Sequence, residues 1–291
     1  MTEASRPIAV VTGASSGFGY ATALHLARNG WHVAAAIRTM AKAARLQEAA
    51  DGLPLSVVEL DITRDDSVAA AFAAVAALGP VTALVNNAGI SAGGPLETIP
   101  DGDHRLMFET NYFGAVRCIK AVLPGMRQRG HGIIVNVTST SGVFPWPNQA
   151  AYAASKWALE GLGASLAHEV RRFGIRVCNV EPGAVRTEIV EASKARSQFD
   201  KASPYLPIMK RNGRLISAGF RAGTTPDDVA AVVLDAMTDP TYRLRWPAGP
   251  DAEAIVGHLG DVSLDEFVAL GDDVADDDYE AWFRTNLGIE L

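Results

Sequence analysis

Tyr152 and Lys156 stand four residues apart in Ala151-Tyr152-Ala153-Ala154-Ser155-Lys156. On a helix that spacing puts a phenol and an ammonium on one face, one turn apart. A phenol ordinarily ionises near pH ~10 and exchanges protons poorly at neutral pH. A fixed cation beside it favours the phenolate, and lowering the pKa by about 3 units takes roughly 4 kcal/mol. Tyr152 is therefore a candidate general acid/base, with Lys156 as the group that tunes it. Helix surfaces also produce such pairs without chemistry, so the reading depends on what the rest of the chain supplies.

A pair of this kind must be held at the end of a rigid scaffold. Apolar runs alternate with Ala-rich helical stretches from Ile8 to about Val180. The runs are Ile8 to Val11, His32 to Ile37, Leu55 to Leu60, Ala83 to Val85, Ile133 to Val137 and Arg176 to Val180. Between them lie helical stretches at Tyr20 to Asn29, Met40 to Ala50, Ser67 to Ala77, about Gly102 to Arg129 and about Gln149 to Phe173. Unbroken rather than alternating apolar strands indicate burial on both faces, hence parallel strands between helices. The expected fold is α/β, a three-layer doubly wound parallel sheet in a single domain.

The pattern loosens after Pro182. Residues 188–225 are mixed, interrupted by Pro204 and Pro207 and carrying basic residues from Lys210 to Arg214, and are expected to act as a substrate lid. Pro226-Asp227-Asp228 opens a helix to about Met237, and a short strand is expected over Arg243 to Ala248. The core thus spans about 7–187 and 226–250, with a C-terminal extension at 251–291. Its acidic run (Asp272, Asp273, Asp276, Asp277, Asp278) reads as a solvated face or mobile tail rather than a metal site.

Composition narrows the classes of partner. The net charge of −7 and pI of about 5.4 disfavour a nucleic-acid surface. Cys118 and Cys178 sit beside apolar residues and read as free buried thiols of a reducing compartment. Met1 to Pro7 has no basic-then-apolar leader pattern, and no apolar stretch reaches spanning length, so a cytoplasmic protein is the expectation. The six histidines are scattered without metal-like pairing.

The first strand runs into Thr12-Gly13-Ala14-Ser15-Ser16-Gly17-Phe18-Gly19, directly before a helix. Glycines let the backbone approach a ligand closely, and the free N–H groups of the helix start suit a pyrophosphate. This G-x-x-x-G-x-G turn points to nucleotide binding. It overlaps a G-x-S-x-G pattern, but no histidine partner supports a serine nucleophile there. The second strand ends at Ile37-Arg38-Thr39, without the acidic residue that NAD sites place on the ribose 2′-hydroxyl. Arg38 offers a guanidinium for a 2′-phosphate, which favours NADP(H) over NAD(H); the plainer reading is an exposed arginine beside a permissive NAD pocket.

Further features follow in order: Asp61-Ile62, Asn86-Asn87-Ala88-Gly89, Asn111 within a helix, Ser139 after the fifth strand, then Tyr152 and Lys156, and Pro182-Gly183 with Val185 and Thr187. Together with the glycine-rich turn they resemble the short-chain dehydrogenase/reductase family, in its single-domain branch, over roughly Pro7 to Thr187. The resemblance implies a Rossmann fold binding NAD(P) through Thr12, Gly13, Ser15, Ser16, Gly17, Phe18, Gly19, Arg38, Thr39, Asp61 and Ile62. Asn87, Ala88, Gly89, Tyr152, Lys156, Pro182, Gly183, Val185 and Thr187 complete that surface, Thr187 against the nicotinamide carboxamide. It also implies a catalytic set in which Ser139 steadies the substrate oxygen, Tyr152 exchanges the proton, Lys156 lowers the Tyr152 pKa and Asn111 holds a relay water. Taken as bare residues, Ser139 is a turn serine, Asn111 a satisfied buried amide and Thr187 a loop or cap threonine. A looser likeness, around Pro95-Leu96-Glu97 and Trp246 to Ala252, is to the hydroxysteroid/retinol-dehydrogenase-like group.

The expected activity is interconversion of a secondary alcohol and a carbonyl, without a metal, since phenol and serine supply the polarisation. Rivals are an NAD-dependent member of the same family, an epimerase or dehydratase retaining its nucleotide, and a nucleotide sensor without turnover. Phe144, Pro145 and Trp146, with Ser91 to Pro95, suggest an apolar or aromatic small-molecule substrate. Ala158, Gly161 and Ser165 on the Tyr152 helix would allow close packing across a homodimer or homotetramer interface, or within one subunit.

Overall fold

Residues 6–197, 200–272 and 274–291 are described in a computed structural model, without the side chains of 194 and 195. Residues 1–5, Gln198 and Phe199 of the expected lid, and Asp273 of the acidic run lie outside the described residues. Seven parallel strands form one sheet in the order β3-β2-β1-β4-β5-β6-β7. They are β1 (Ile8–Thr12), β2 (His32–Ile37), β3 (Leu55–Glu59), β4 (Val81–Asn86), β5 (Gly132–Val137), β6 (Ile175–Pro182) and β7 (Arg245–Ala248). The chain winds outward from β1 to β3, returns to β4 beside β1, and then winds the other way. Ligands of such sheets bind beyond the strand carboxyl ends, where the winding reverses.

The helices flanking this core are α1 (Gly17–Arg28), α2 (Ala44–Ala49), α3 (Asp65–Ala76), α4 (Asp101–Phe108), α5 (Gly114–Arg129), α6 (Ala150–Val170) and α9 (Pro226–Thr238). Apolar residues on both faces of β1, β4 and β5 explain the three layers. Val11, Val85 and Val135 pack with Leu26 of α1 and Val233 of α9, whereas Val10, Leu84 and Ile134 pack with Val75 of α3, Val122 of α5 and Leu166 of α6. The α9 start is fixed by a capping box, Asp228 N–H to Thr225 Oγ1 and Thr225 N–H to Asp228 Oδ2.

Some boundaries differ from the sequence expectation. The stretch from Met40 is a 3₁₀ turn (Met40–Lys42) followed by the short α2, and α6 gives way to a 3₁₀ turn at Arg171. The single helix expected from Gly102 to Arg129 is two helices joined by a π turn over Glu109–Phe113, which carries Asn111. Such turns occur where a side chain must be re-aimed for function.

The segment expected to act as a lid forms α7 (Glu188–Arg196) and α8 (Leu206–Arg221). The C-terminal extension folds as α10 (Pro250–Gly257), α11 (Leu264–Ala269) and α12 (Asp276–Leu287), which corrects the mobile-tail alternative. Asp276, Asp277 and Asp278 form the exposed first turn of α12, where the helix dipole favours each by about 0.3–1 kcal/mol. The same helix buries Tyr279, Phe283 and Leu287 against Phe144 and Phe267. At roughly 1.5–3 kcal/mol per buried side chain this packing outweighs the mutual repulsion of solvated carboxylates. Arg211 Nε of α8 donates to Asp276 Oδ1 at 3.0 Å, and Arg214 pairs with Asp276 and Glu280. Two arginines of the basic cluster on α8 and the start of α12 are thus one contact. Cys118 and Cys178 are free and buried, and no helix among the described residues is long and apolar enough to cross a membrane.

Candidate active site

The Tyr152–Lys156 spacing places both residues on the first two turns of α6, which run past the carboxyl end of β5. Lys156 is 4% exposed, its Nζ lies 5.8 Å from the centre of the Tyr152 ring, and it donates to Val137 O at 2.9 Å. Ser139 follows β5 in extended backbone. Its Oγ accepts from Ser141 N at 3.0 Å, and its hydroxyl stands beside the Tyr152 phenol, whose ionised form it favours. Ser141 in turn donates to Gln149 Oε1 at 2.8 Å, closing the loop between β5 and α6.

The electrostatics depart from the expectation that Lys156 lowers the phenol. Burial pushes Tyr152 up to about 12, against the opposing pull of the Ser139 hydrogen bond. Burial also draws Lys156 down to about 8, with Glu160 opposing. Ser139 is the group that favours the phenolate here, and Lys156 spends one N–H on a backbone carbonyl.

Asn111 is 1% exposed and its amide is heavily committed. Oδ1 accepts from Ile90 N at 2.8 Å, while Nδ2 donates to Ile90 O and Ser155 Oγ, each at 2.9 Å. The π turn aims it at the loop after β4 rather than along its helix. A Cβ on Gly89 would lie 3.2 Å from Asn111 Oδ1 and 3.6 Å from Lys156 Nζ, so Asn111 and Lys156 border the same backbone atom.

The glycine-rich turn is held against that loop. Thr12 Oγ1 accepts from Asn87 N and Ala88 N, each at 3.0 Å, and Asn87 Nδ2 donates to Thr12 O at 2.8 Å. The Thr12 side chain, 1% exposed, is therefore a stitch between two loops rather than a group presented to a ligand. Gly13 has φ +69°, and a Cβ there would stand 2.8 Å from Ala88 Cα. At Gly19 a Cβ would meet Asn87 Nδ2 at 2.4 Å. Ser15, Ser16, Gly17 and Phe18 remain half-open to solvent. Ser16 leaves the start of α1 without a side-chain cap, so its first N–H groups are available to an anion.

Arg38 and Thr39 are exposed past β2, and Arg38 makes no hydrogen bond or ion pair among the described residues. Asp61 lies nearby. Burial opposes its ionisation, but the Thr63 hydroxyl and N–H, with Arg38 and Arg64, hold its carboxyl below the usual range. Ile62 is buried against Gly114 at the start of α5. On the β6 side, Pro182, Gly183, Val185 and Thr187 all reach the same cavity. Thr187 Oγ1 is buried without a hydrogen-bond partner among the described residues. An orphaned hydroxyl, an uncapped helix start and close glycine packing together fit a dinucleotide lying along the strand ends.

One cavity of about 760 Å³ joins these residues. Phe18, Asn87, Gly89, Ser139, Tyr152 and Lys156 line its inner end. Its outer wall comes from α7 and α8, among them Val190, Met209, Ile216 and Phe220. Of the apolar trio expected at the pocket only Trp146 lines it. Phe144 is buried in the cluster beneath, and Pro145 is exposed. Sequence reasoning missed Asn148, Asp251, Ile255 and Ile289, which also line the cavity. Asp251 Oδ2 accepts from Ala184 N at 2.8 Å and ties α10 to the loop after β6. An acidic residue at a helix start within Ala248-Gly249-Pro250-Asp251 was a readable cap signal, but nothing in the sequence aimed it at the site.

A glycine-rich turn at the reversal point of a doubly wound sheet is the arrangement of a dinucleotide-binding α/β protein. The model for short chain dehydrogenase matches residues 7–198. Retinol dehydrogenase 8 of Homo sapiens is 36% identical over 263 residues, covering 84% of this chain and 82% of its own. A short-chain dehydrogenase from Streptomyces avermitilis superposes with a TM-score of 0.79 at 34% identity, over 94% of this chain and 100% of that one. A short-chain dehydrogenase/reductase from Burkholderia phymatum in complex with NAD gives 0.76 at 28% identity, over 95% and 99% of the two chains. A metagenomic short-chain oxidoreductase in complex with NADP gives 0.65 at 31% identity, over 83% and 96%. The chain belongs to the short-chain dehydrogenase/reductase family and is an NAD(P)-dependent oxidoreductase.

Proposed function

We propose that this enzyme interconverts a secondary alcohol and a carbonyl on a neutral, largely apolar substrate, with NADP(H) preferred. The observation that carries the reading is Ser139, Tyr152 and Lys156 lining one cavity together, with the Lys156 ammonium 5.8 Å from the centre of the Tyr152 ring. A bound nicotinamide supplies a hydride in reduction and takes one up in oxidation.

The chain's own groups handle the oxygen and its proton. Ser139 turns its hydroxyl from the phenol to the substrate carbonyl oxygen and stabilises the charge that develops there. Tyr152, protonated at neutral pH because burial holds it near 12, gives its proton to that oxygen. Lys156 offsets the phenolate left behind, its cation standing 5.8 Å from the ring. Asn111 acts more narrowly than its family role implies. With Nδ2 committed to two acceptors, it offers a relay water only the free lone pair of Oδ1 and its backbone carbonyl. Thr187 Oγ1 and the loop from Pro182 to Val185 would hold the nicotinamide end of the cofactor, and Gly13 to Gly19 with Asn87 to Gly89 its phosphates and adenine side. Thr12 serves this surface by shaping it.

The substrate class follows from the lining. Lys156 is the one basic side chain on the described cavity wall, and Asp251 adds a carboxyl, so an anionic substrate group finds no other cation. Val190, Met209, Ile216, Phe220 and Ile255 favour hydrocarbon. The name of retinol dehydrogenase 8 is in keeping with such a substrate. NADP preference rests on exposed, unpaired Arg38 beyond β2. Two buried thiols suit a reducing, cytoplasmic setting, and the open face of small residues on α6 (Gly161, Ala164, Ser165) suits a second copy of the chain.

The test is Tyr152→Phe, assayed by NADPH oxidation with a panel of apolar ketones and aldehydes. Turnover should fall by about 10²–10⁴-fold with NADPH affinity nearly unchanged. Near-normal turnover refutes the assignment. Failure of the wild type to consume NADPH over multiple turnovers with any carbonyl favours a self-recycling enzyme or a sensor.

A further inference from the structure

One turn beyond Lys156, on the same face of α6, stands Glu160, only 5% exposed. It terminates a chain of buried amides. Asn86, Asn136 and Asn179 occupy one rung of β4, β5 and β6. Asn86 Nδ2 donates to Asn136 Oδ1 at 3.0 Å, Asn136 Nδ2 to Asn179 Oδ1 at 3.1 Å, and Asn179 Nδ2 to Glu160 Oε2 at 2.7 Å. Each amide donates in the same direction, so the chain needs an acceptor at its end. On β7 the rung is taken by Arg245, whose Nε lies 3.8 Å from Glu160 Oε2 and 3.8 Å from Glu181 Oε1.

Glu181, the penultimate residue of β6, is 0% exposed and accepts from Trp246 N at 2.8 Å through Oε2. The remaining oxygens, Glu160 Oε1 and Glu181 Oε1, are buried with no hydrogen-bond partner among the described residues. The Thr138 hydroxyl borders the Glu160 carboxyl but gives its proton to Val180 O at 3.0 Å, leaving a lone pair on that side. Two buried carboxyls therefore face one guanidinium at the limit of contact, and that guanidinium is 45% exposed. Lys156, already bonded to Val137 O, is the other cation bearing on Glu160. Two buried negative charges so poorly served are costly, whereas a proton on one of them supplies the missing donor. Burial raises both carboxyls, Glu181 further through the charge of Glu160.

We propose that Glu160 and Glu181 hold one proton between them, and that this pair is the strut positioning Lys156 and the β5 end that carries Ser139. Glu160 bears on Thr138, next to Ser139, and on the helix turn below Lys156. Glu181 directly precedes Pro182-Gly183. The pair thus links β5, α6 and β6 at the level where all three enter the active site. Losing the proton sets two anions against each other and loosens that junction. These are positioning residues, remote from the reacting atoms, and only the kinetic arm of the test depends on the proposed roles of Ser139 and Lys156.

The test uses Glu160→Gln and Glu181→Gln in the full-length enzyme, since an amide has the shape and the donor of a protonated carboxyl. Infrared difference spectra at neutral pH, wild type minus each variant, should show the C=O band of a protonated carboxyl. Its absence from both differences overturns the shared proton. A carboxyl raised in the folded state stabilises fully below its unfolded pKa and loses that contribution as pH rises through the folded value. The urea midpoint of the wild type should accordingly fall from about pH 5 to about pH 9, and that of Glu181→Gln should stay flatter. Equal slopes overturn the proposal, and Glu181→Gln alone decides it if Glu160→Gln does not fold. In the kinetic arm, Glu181→Gln should move the alkaline fall of kcat to higher pH with the KM for the carbonyl unchanged. An unshifted kcat profile alongside a lost infrared band overturns the positioning role while leaving the Tyr152 chemistry standing.

Discussion

Thr12→Val tests the reasoning about how the nucleotide loop is held, because it removes a hydroxyl while keeping the shape of the side chain. Thr12 is 1% exposed, and its Oγ1 accepts from Asn87 N and Ala88 N at 3.0 Å while donating weakly to Val85 O at 3.3 Å. Valine leaves Ala88 N–H without an acceptor and Asn87 N–H with only Val85 O, at 3.1 Å. A buried donor left unpaired costs about 1–3 kcal/mol, and with only the half-buried Ala88 N–H orphaned the expected loss is about 1–3 kcal/mol. Urea unfolding should report that loss in stability. Thr12→Ser keeps the hydroxyl and loses one methyl, about 0.8 kcal/mol. The same loop carries Asn87 and Gly89, which line the cavity. If 1.4 kcal/mol or more of the cost falls on its bound geometry, the NADPH Kd by fluorescence titration rises about tenfold or more. The kcat at saturating cofactor should change less, because Ser139, Tyr152 and Lys156 are held by β5 and α6. A Thr12→Val protein within about 0.5 kcal/mol of the wild type refutes the stitch. So does a Thr12→Ser protein as damaged as Thr12→Val.

Two further outcomes follow from the charges around the cofactor and the phenol. Arg38→Asp replaces an exposed, unpaired cation with the acid that prefers a ribose hydroxyl, and a charge-assisted contact is worth about 1.5–3 kcal/mol. The ratio of kcat/KM for NADPH to that for NADH should therefore fall by about 10–100-fold, and an unchanged ratio removes the NADP assignment. With Tyr152 near 12, the phenol is the acid form at neutral pH, so carbonyl reduction needs no alkaline activation. Alcohol oxidation needs the phenolate, whose fraction grows about tenfold per pH unit below that pKa. In the Glu181→Gln protein, where the alkaline loosening is moved to higher pH, its rate should climb steadily from pH 7 to about pH 9, and a flat profile for the chemical step there refutes Tyr152 as the base.

The sheet was legible because its strands are unbroken apolar runs: Val10, Leu84 and Ile134 pack on one side while Val11, Val85 and Val135 pack on the other. The site was legible where chemistry-bearing types fall at strand ends, as Ser139 does after β5 and Thr187 after β6. Asn111 was found on a helix, but its π turn was not foreseen, since a one-residue change in hydrogen-bond pitch leaves no periodic trace in sequence. The partial burial of Tyr152 is likewise a tertiary property, and it opposes the lowering of the phenol that spacing alone suggested. Glu160 carried a readable signal that went unused: it is to Lys156 what Lys156 is to Tyr152, four residues on along one helix face. Asn86, Asn136 and Asn179, polar residues inside apolar strands, were the complementary signal at the other end of the amide chain.

The C-terminal extension shows why motif and specificity separate in this molecule. The family match ends at residue 198, and all of the proposed proton chemistry falls inside it. Yet Met209, Phe220, Ile255 and Ile289, which shape the outer cavity, come after it. They are held by contacts of another kind: Arg211 reaching Asp276 at 3.0 Å, and an aromatic cluster in which Phe283 stacks near Trp146 with ring centres 6.2 Å apart. Trp146 belongs to the loop between Ser139 and Tyr152, so packing of the extension bears directly on the loop that joins the proposed catalytic groups. A substitution at Phe283 therefore acts on the site through Trp146, with no contact to the reacting carbon. The position of the pocket wall is set by hydrophobic burial in the last helix, while the proposed chemistry at its inner end rests on residues of the β5 end and α6, joined by Lys156 Nζ donating to Val137 O.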